Sequence, residues 1–155
     1  MPAFSRFSVD VTVKNSASPP RHLLLELVFV YGLVAIDLAV KTLASSPYSN
    51  YHFAFSLPLP PRSFISIALV LITLATIWLY LTPRERFLRR VALVLVISGG
   101  TANTLERVCR GFVTDIIQIT QASINLADVY IAVGVIALLV SAFFRSKENY
   151  PSNTN

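Results

Sequence analysis

The sequence predicts an all-α integral membrane protein built on four transmembrane helices, and three observations predict it. Of its 155 residues, 54% are hydrophobic and only 14% charged, where a soluble domain carries about 25% charged residues. The apolar residues gather into four runs of roughly 18–22 residues, a length that at about 1.5 Å rise per residue spans the ~30 Å hydrocarbon core of a bilayer. The polar segments between the runs alternate between strongly basic and nearly uncharged, as they do when successive loops lie on opposite sides of a membrane.

The elements follow in order. Residues 1–22 form a polar head with Arg6, Lys14 and Arg21. The first run covers about 23–44. It continues past the length of a signal-peptide core to Asp37 and Lys41, so it is expected to remain in the chain. A connector at 45–63 leads to the second run, about 64–82. The segment "TPRERFLRR" (82–90) joins it to the third run, about 91–108, which contains the pair of glycines in "SGG" (98–100). Small residues there let one helix pack closely on another. A compact connector, 109–123, precedes the fourth run, about 124–144, and residues 145–155 form a polar tail. Residues 23–144 therefore read as one membrane domain between a polar head and a polar tail.

Charge sets the orientation. Nine of the 13 Lys and Arg residues fall in the head, the 82–90 connector and the tail. The positive-inside rule puts those three segments, and both termini, in the cytoplasm. Connectors 45–63 and 109–123 then face outward. This also accounts for the net charge of +5 without a nucleic-acid partner. The single cysteine, Cys109, excludes an internal disulfide. A nucleophilic pair of Cys109 and His52 lacks a third, orienting group. Two histidines in the whole chain, on opposite sides by this topology, leave too few ligands for a zinc site. No metal and no cofactor is expected.

The acids carry the functional signal. A charge at the bilayer centre costs about 2.5–3.5 kcal/mol on insertion scales, so acids within or beside apolar runs need a partner or a task. Glu26 lies near a helix end and reads as snorkelling to the cytoplasmic surface. Asp37, Glu106, Asp115 and Asp128 all fall toward the outer face, with Lys41 and Arg107. Asp37 and Lys41, at i and i+4, read as an ion pair. Glu106 and Arg107 are adjacent in sequence and do not face each other, so each needs another partner. Asp115 and Asp128 have no basic residue within a helical turn, and two readings stay open for them. In one, Asp115 caps the approach to the fourth helix and Asp128 is a solvated interfacial residue. In the other, the two carboxylates share a proton, so that one activates a water and the other polarises a carbonyl.

Five stretches in order, "IDLAVK", "NYHFAFS", "GGTANTLER", "GFVTDII" and "INLADVY", resemble the motifs of signal peptidase II, the lipoprotein signal peptidase, a membrane aspartic protease. They span residues 36–130. The resemblance implies a small β-like extracytoplasmic cradle on the four helices. It implies that Asp115 and Asp128 are the catalytic dyad and that Asn125 supports Asp128. Asn103 and Arg107 would line the substrate groove, Asp37 and Lys41 would form the pair on the first helix, and Asn50, Ala54 and Phe55 would belong to the cradle. Three positions depart from the pattern: His52 and Ala102 stand where glycines are expected, and Glu106 where an aspartate is. The activity implied is removal of signal peptides from diacylglyceryl-modified prolipoproteins by cutting before the lipidated cysteine. The implied partners are that substrate and membrane lipid, for a monomer in the bacterial inner membrane with its site on the extracytoplasmic face. The readings from other classes are a degenerate relative that binds lipopeptides and a small transporter subunit. A transporter places its ionisable groups nearer mid-bilayer, and these acids cluster toward one interface.

Overall fold

A computed structural model describes residues 21–45, 47–51, 61–119 and 122–148. Four long helices dominate it: α1 (Arg21–Leu43), α2 (Pro61–Leu81), α3 (Phe87–Arg110) and α4 (Leu126–Glu148). All four are long and apolar enough to cross a membrane. Four short strands accompany them: β1 (Tyr48–Asn50), β2 (Val113–Asp115), β3 (Ile117–Ile119) and β4 (Ala122–Ile124). The chain is an all-α membrane protein with two small strand pairs. The head before Arg21 and the tail after Glu148 lie outside the described residues.

The helix faces explain the arrangement. On α1 Val30, Val34, Asp37 and Lys41 are buried, a single stripe at helical spacing. Its remaining surface exposes Leu24, Leu27, Val28, Phe29, Tyr31 and Ile36. Leu69, Leu71 and Leu74 on α2 and Val133, Ile136 and Leu139 on α4 are exposed in the same way. Apolar surface on this scale belongs against lipid. Helix α3 is the central element and packs against α1, α2 and α4. Its buried Leu93, Val94 and Ile97 form the main apolar core with Val30 of α1 and Leu79 of α2.

Glycine sets the closest approach. A Cβ on Gly99 would lie 2.3 Å from the carbonyl oxygen of Ala127, and one on Gly134 would lie 2.7 Å from that of Ala92. Helices α3 and α4 therefore meet backbone to backbone. Close packing at Gly99 is the role expected of "SGG". Gly134 escaped notice because a lone glycine in an apolar run carries no pattern.

The basic connector is shorter than the sequence suggests. Helix α3 begins at Phe87, which draws Arg89 and Arg90 into its first turn, and both are buried. The Arg90 guanidinium forms a fork with Glu26, with Nε and Nη2 each 2.7 Å from a carboxylate oxygen. It also donates to the carbonyls of Leu79, at 3.2 Å, and Thr82. The Leu79 carbonyl also accepts the Thr82 N–H at 3.1 Å, so Arg90 adds a donor where the hydrogen-bond ladder of α2 runs out. Arg89 lies 6.0 Å from the Trp78 ring, in cation–π contact. Glu26 is thus an ion-pair partner rather than a free carboxylate at the surface.

The connector at 109–123 also differs from a plain loop. Gly111, at φ 80°, ends α3 in a left-handed turn, and its N–H donates to the Arg107 carbonyl at 3.0 Å. Glycine takes that conformation without a Cβ penalty. The chain then enters β2, which pairs antiparallel with β1, and β3 pairs with β4. Strands of three residues have too little length for an alternating pattern to register.

Three stability outcomes follow. Gly99→Ala is expected to lower stability by about 1–3 kcal/mol through overpacking, read as a lower thermal midpoint in detergent. Gly32→Ala, where nothing lies within 4 Å of the added Cβ, should leave the midpoint in place. Glu26→Leu strands a buried guanidinium and is expected to cost about 3 kcal/mol in the same assay.

Candidate functional site

The site lies where the C-terminal ends of α1 and α3 meet the N-terminus of α4. Its first element is the start of α4. Asn125 is the residue before the helix, and its Oδ1 accepts the backbone N–H of Asp128 at 3.0 Å. In return the Asp128 Oδ2 accepts the backbone N–H of Asn125 at 3.1 Å. This is a reciprocal capping box, in which an end residue and the third helical residue satisfy each other's orphan amides. Asp128 is therefore held by the backbone of its own helix, in the first turn, where a negative charge is favoured by the helix dipole.

Asn125 has a second task. With Oδ1 committed to the helix, its Nδ2 turns to Asp115 and donates to Oδ1 at 2.8 Å. One buried asparagine thus touches both aspartates. Asp115 stands at the end of β2, with no exposed surface. Its Oδ2 accepts from Ser123 Oγ at 2.6 Å and from Asn50 Nδ2 at 2.9 Å. Strand register explains the last contact. Asn50 pairs with Val113, and so it faces the same side as Asp115, two residues further on. Asp115 thus draws donors from β1, β4 and the cap of α4.

Behind the two aspartates lies a charged cluster. Lys41 Nζ is 2.7 Å from Asp37 Oδ2 and 2.7 Å from Glu106 Oε2. It also donates to Asn103 Oδ1 at 3.1 Å. Asn103 in turn donates from Nδ2 to Asp128 Oδ1 at 2.8 Å. The other Asp37 oxygen accepts the backbone N–H of Ala127 at 2.8 Å. Glu106 Oε2 accepts the backbone N–H of Thr114 at 3.3 Å, and Oε1 lies 3.4 Å from Arg110. Arg107 is part-buried, reaches the Asn103 carbonyl at 3.5 Å and feels the fields of Asp128, Asp115 and Glu106.

The structure brings Asp37, Lys41, Asn50, Asn103, Glu106, Arg107, Asp115, Asn125 and Asp128 together at one end of the bundle. Ala54, Phe55 and His52 lie outside the described residues. The pairing of Asp37 with Lys41 is present, but it is part of a triad that includes Glu106, from 65 residues away. Both polar groups of Asn103 are engaged within the protein, one toward Lys41 and one toward Asp128. Four participants were missed from sequence: Ser123, Arg110 and the backbone amides of Thr114 and Ala127. Ser123 lies in the compact connector, where a lone serine carries no signal. Thr114 takes part through its backbone. Among the described residues no group of three or more His, Cys, Asp or Glu side chains could hold a metal ion. Cys109 is exposed at the end of α3.

Comparison with known proteins gives a consistent family. The family model described as "Signal peptidase (SPase) II" matches residues 6–144. A "Lipoprotein signal peptidase" of Hydrogenovibrio crunogenus is 36% identical over 86 residues, covering 52% of this chain and 50% of that protein. One of Streptococcus pneumoniae is 34% identical over 96 residues, covering 59% of this chain and 63% of that protein. The chain thus spans about half to under two-thirds of the length of these curated relatives. A solved bacterial membrane enzyme superposes with a TM-score of 0.73 at 15% identity, covering 86% of this chain and 96% of that one. At that identity the likeness speaks for the fold alone.

Removing the shared asparagine tests the geometry directly. Asn125→Ala deletes the cap of α4 and one donor to Asp115. It is expected to cost about 1–2 kcal/mol, seen as a lower thermal midpoint. Asn125→Ser, which retains a capping oxygen, should recover part of the loss.

Proposed function

Because the chain belongs to the signal peptidase II family, we propose that it is a membrane aspartic endopeptidase that removes signal peptides from diacylglyceryl-modified prolipoproteins. The observation that carries this reading is the shared asparagine: Asn125 holds Asp115 through its side chain and Asp128 through the capping box. Two carboxylates held this way can act as a pair.

The chemistry needs no cofactor. One aspartate holds a proton and the other is ionised, since two like charges at close range do not both stay ionised. The ionised carboxylate takes a proton from water, and the resulting hydroxide attacks the scissile carbonyl carbon. The protonated partner donates to the carbonyl oxygen as it gains negative charge. Collapse of the tetrahedral species breaks the C–N bond, and a carboxyl proton passes to the leaving nitrogen. The products are the free signal peptide and a mature chain that begins at the lipidated cysteine.

Placement supplies much of the rate. The acyl chains of the substrate stay in lipid and hold the scissile bond at the depth of the helix ends, which replaces entropy otherwise lost at the barrier. Arg107, only part-buried, holds peptide carbonyls. Asn103, with its polar atoms engaged, supports Asp128. The strand pair β1–β2 belongs to the cradle, on the extracytoplasmic side, with both termini in the cytoplasm. The enzyme acts as a monomer in the bacterial inner membrane.

The test is incubation of the detergent-purified protein with a diacylglyceryl prolipoprotein. A size shift is expected for the wild type. Asp115→Asn and Asp128→Asn are each expected to abolish it, with helical content and thermal midpoint near wild type. Substantial cleavage by either variant overturns the dyad. Binding of the lipopeptide with no cleavage by the wild type favours a lipopeptide binder.

A further inference from the structure

The proposed chemistry uses two carboxylates and leaves unexplained why a lysine is buried behind them. Lys41 has a side chain only 1% exposed, and a buried cation is costly unless its surroundings are arranged for it. We propose that Lys41 is the positioning residue of the site, the cation that registers Asp115 and Asp128 against each other. This rests on the reading of those aspartates as the catalytic pair.

Three routes lead from its ammonium group to the aspartates. The first runs through Asn103. Lysine can only donate, so the amide must present Oδ1 to it, at 3.1 Å. That leaves Nδ2 facing Asp128 Oδ1, at 2.8 Å. The cation thereby fixes the flip of the amide and guarantees a donor toward Asp128. The second route runs through Glu106, whose Oε2 lies 2.7 Å from Lys41 and also accepts the N–H of Thr114. The third runs through Asp37, which gives one oxygen to Lys41 at 2.7 Å and the other to the N–H of Ala127.

The last two routes have the same form. Thr114 immediately precedes Asp115, and Ala127 immediately precedes Asp128. Each carboxylate partner of Lys41 therefore grips the backbone one residue before an aspartate, once on β2 and once on α4. Charged groups on every neighbouring element converge here: Asp37 from α1, Glu106, Arg107 and Arg110 from α3, Asp115 from β2 and Asp128 from α4. Lys41 is the atom set common to both grips. Simple neutralisation of two acids would need a positive charge nearby, but not one whose partners each end on the residue ahead of an aspartate. Glu106, the longer side chain at a position where the family pattern has aspartate, closes the route from α3 to β2.

The test combines amide hydrogen exchange with cleavage kinetics on the full chain in detergent, using a synthetic diacylglyceryl lipobox peptide. In Lys41→Met, exchange at Thr114 and Ala127 is expected to quicken by about tenfold or more while α2 keeps its protection. The kcat is expected to fall about 100-fold, as for a misplacement of roughly 1 Å, with KM within about threefold of wild type. Asn103→Asp keeps an acceptor for Lys41 but loses the donor to Asp128. It should leave Thr114 exchange unchanged and lower kcat by about tenfold or more. Unchanged exchange at Thr114 and Ala127, faster exchange along all four helices alike, or a loss carried by KM in Lys41→Met overturns the proposal. If Lys41→Met does not fold, wild-type kcat in Asn103→Asp overturns it. If the wild type cleaves nothing, the catalytic reading falls by itself and the exchange pattern still decides the role of Lys41.

Discussion

Hydrocarbon offers no hydrogen bond to a charge, so a bundle that faces lipid must satisfy its buried charges from within. That constraint shapes both ends of this protein. At one end Arg90 is gripped by Glu26 and by the last carbonyls of α2. At the other, Lys41, Asp37 and Glu106 close on one another; the second oxygen of Asp37 takes a backbone amide of α4, and the Glu106 oxygen that meets Lys41 also takes one of β2. Each bond that satisfies a charge also ties together elements far apart in sequence. The apolar faces of α1, α2 and α4, turned outward, contribute comparatively little to that fixing.

Helix α3 is where these ties accumulate. Its first turn carries Arg90, its middle carries Gly99 against α4, and its last turns carry Asn103, Glu106 and Arg107. The close approach at Gly99 brings the first turn of α4, with Asp128, within reach of Asn103. Packing and polar contacts therefore point the same way: the glycine allows the distance that the hydrogen bond requires. The site is rigid in its first contacts because it is built on helix ends and a strand pair rather than on a free loop.

Much of this was legible in the sequence because lipid imposes simple rules. Apolar runs of bilayer length gave the four helices, and the placing of acids relative to those runs gathered Asp37, Glu106, Asp115 and Asp128 at one end. The bond from Lys41 to Glu106 was out of reach, since periodicity reveals only partners a turn away and these lie 65 residues apart. Arg90 was misread for a similar reason: four arginines in nine residues look like a solvated loop, and it is Glu26 from α1, with the Leu79 and Thr82 carbonyls, that makes burial of the last one tolerable. The strands β1–β4 were too short to show alternation. Asn125 was placed beside Asp128 by the resemblance and its three-residue spacing, but its grip on Asp115 goes with a β3–β4 pairing that no local pattern announces.

The capping box has a consequence for how such chains can vary in length. The step from Asn125 to Asp128 is fixed by helix geometry, because the box closes only between the cap and the third helical residue. The stretch from Asp115 to Asn125 is under no such rule. It leaves β2, runs out along β3 and returns along β4, so its two ends are neighbours whatever the length of the excursion between them. Residues added in pairs to that hairpin would lengthen a projection and leave the two carboxylates where they are. The distance between the aspartates along the chain is thus a free variable, while the distance between them in space is not.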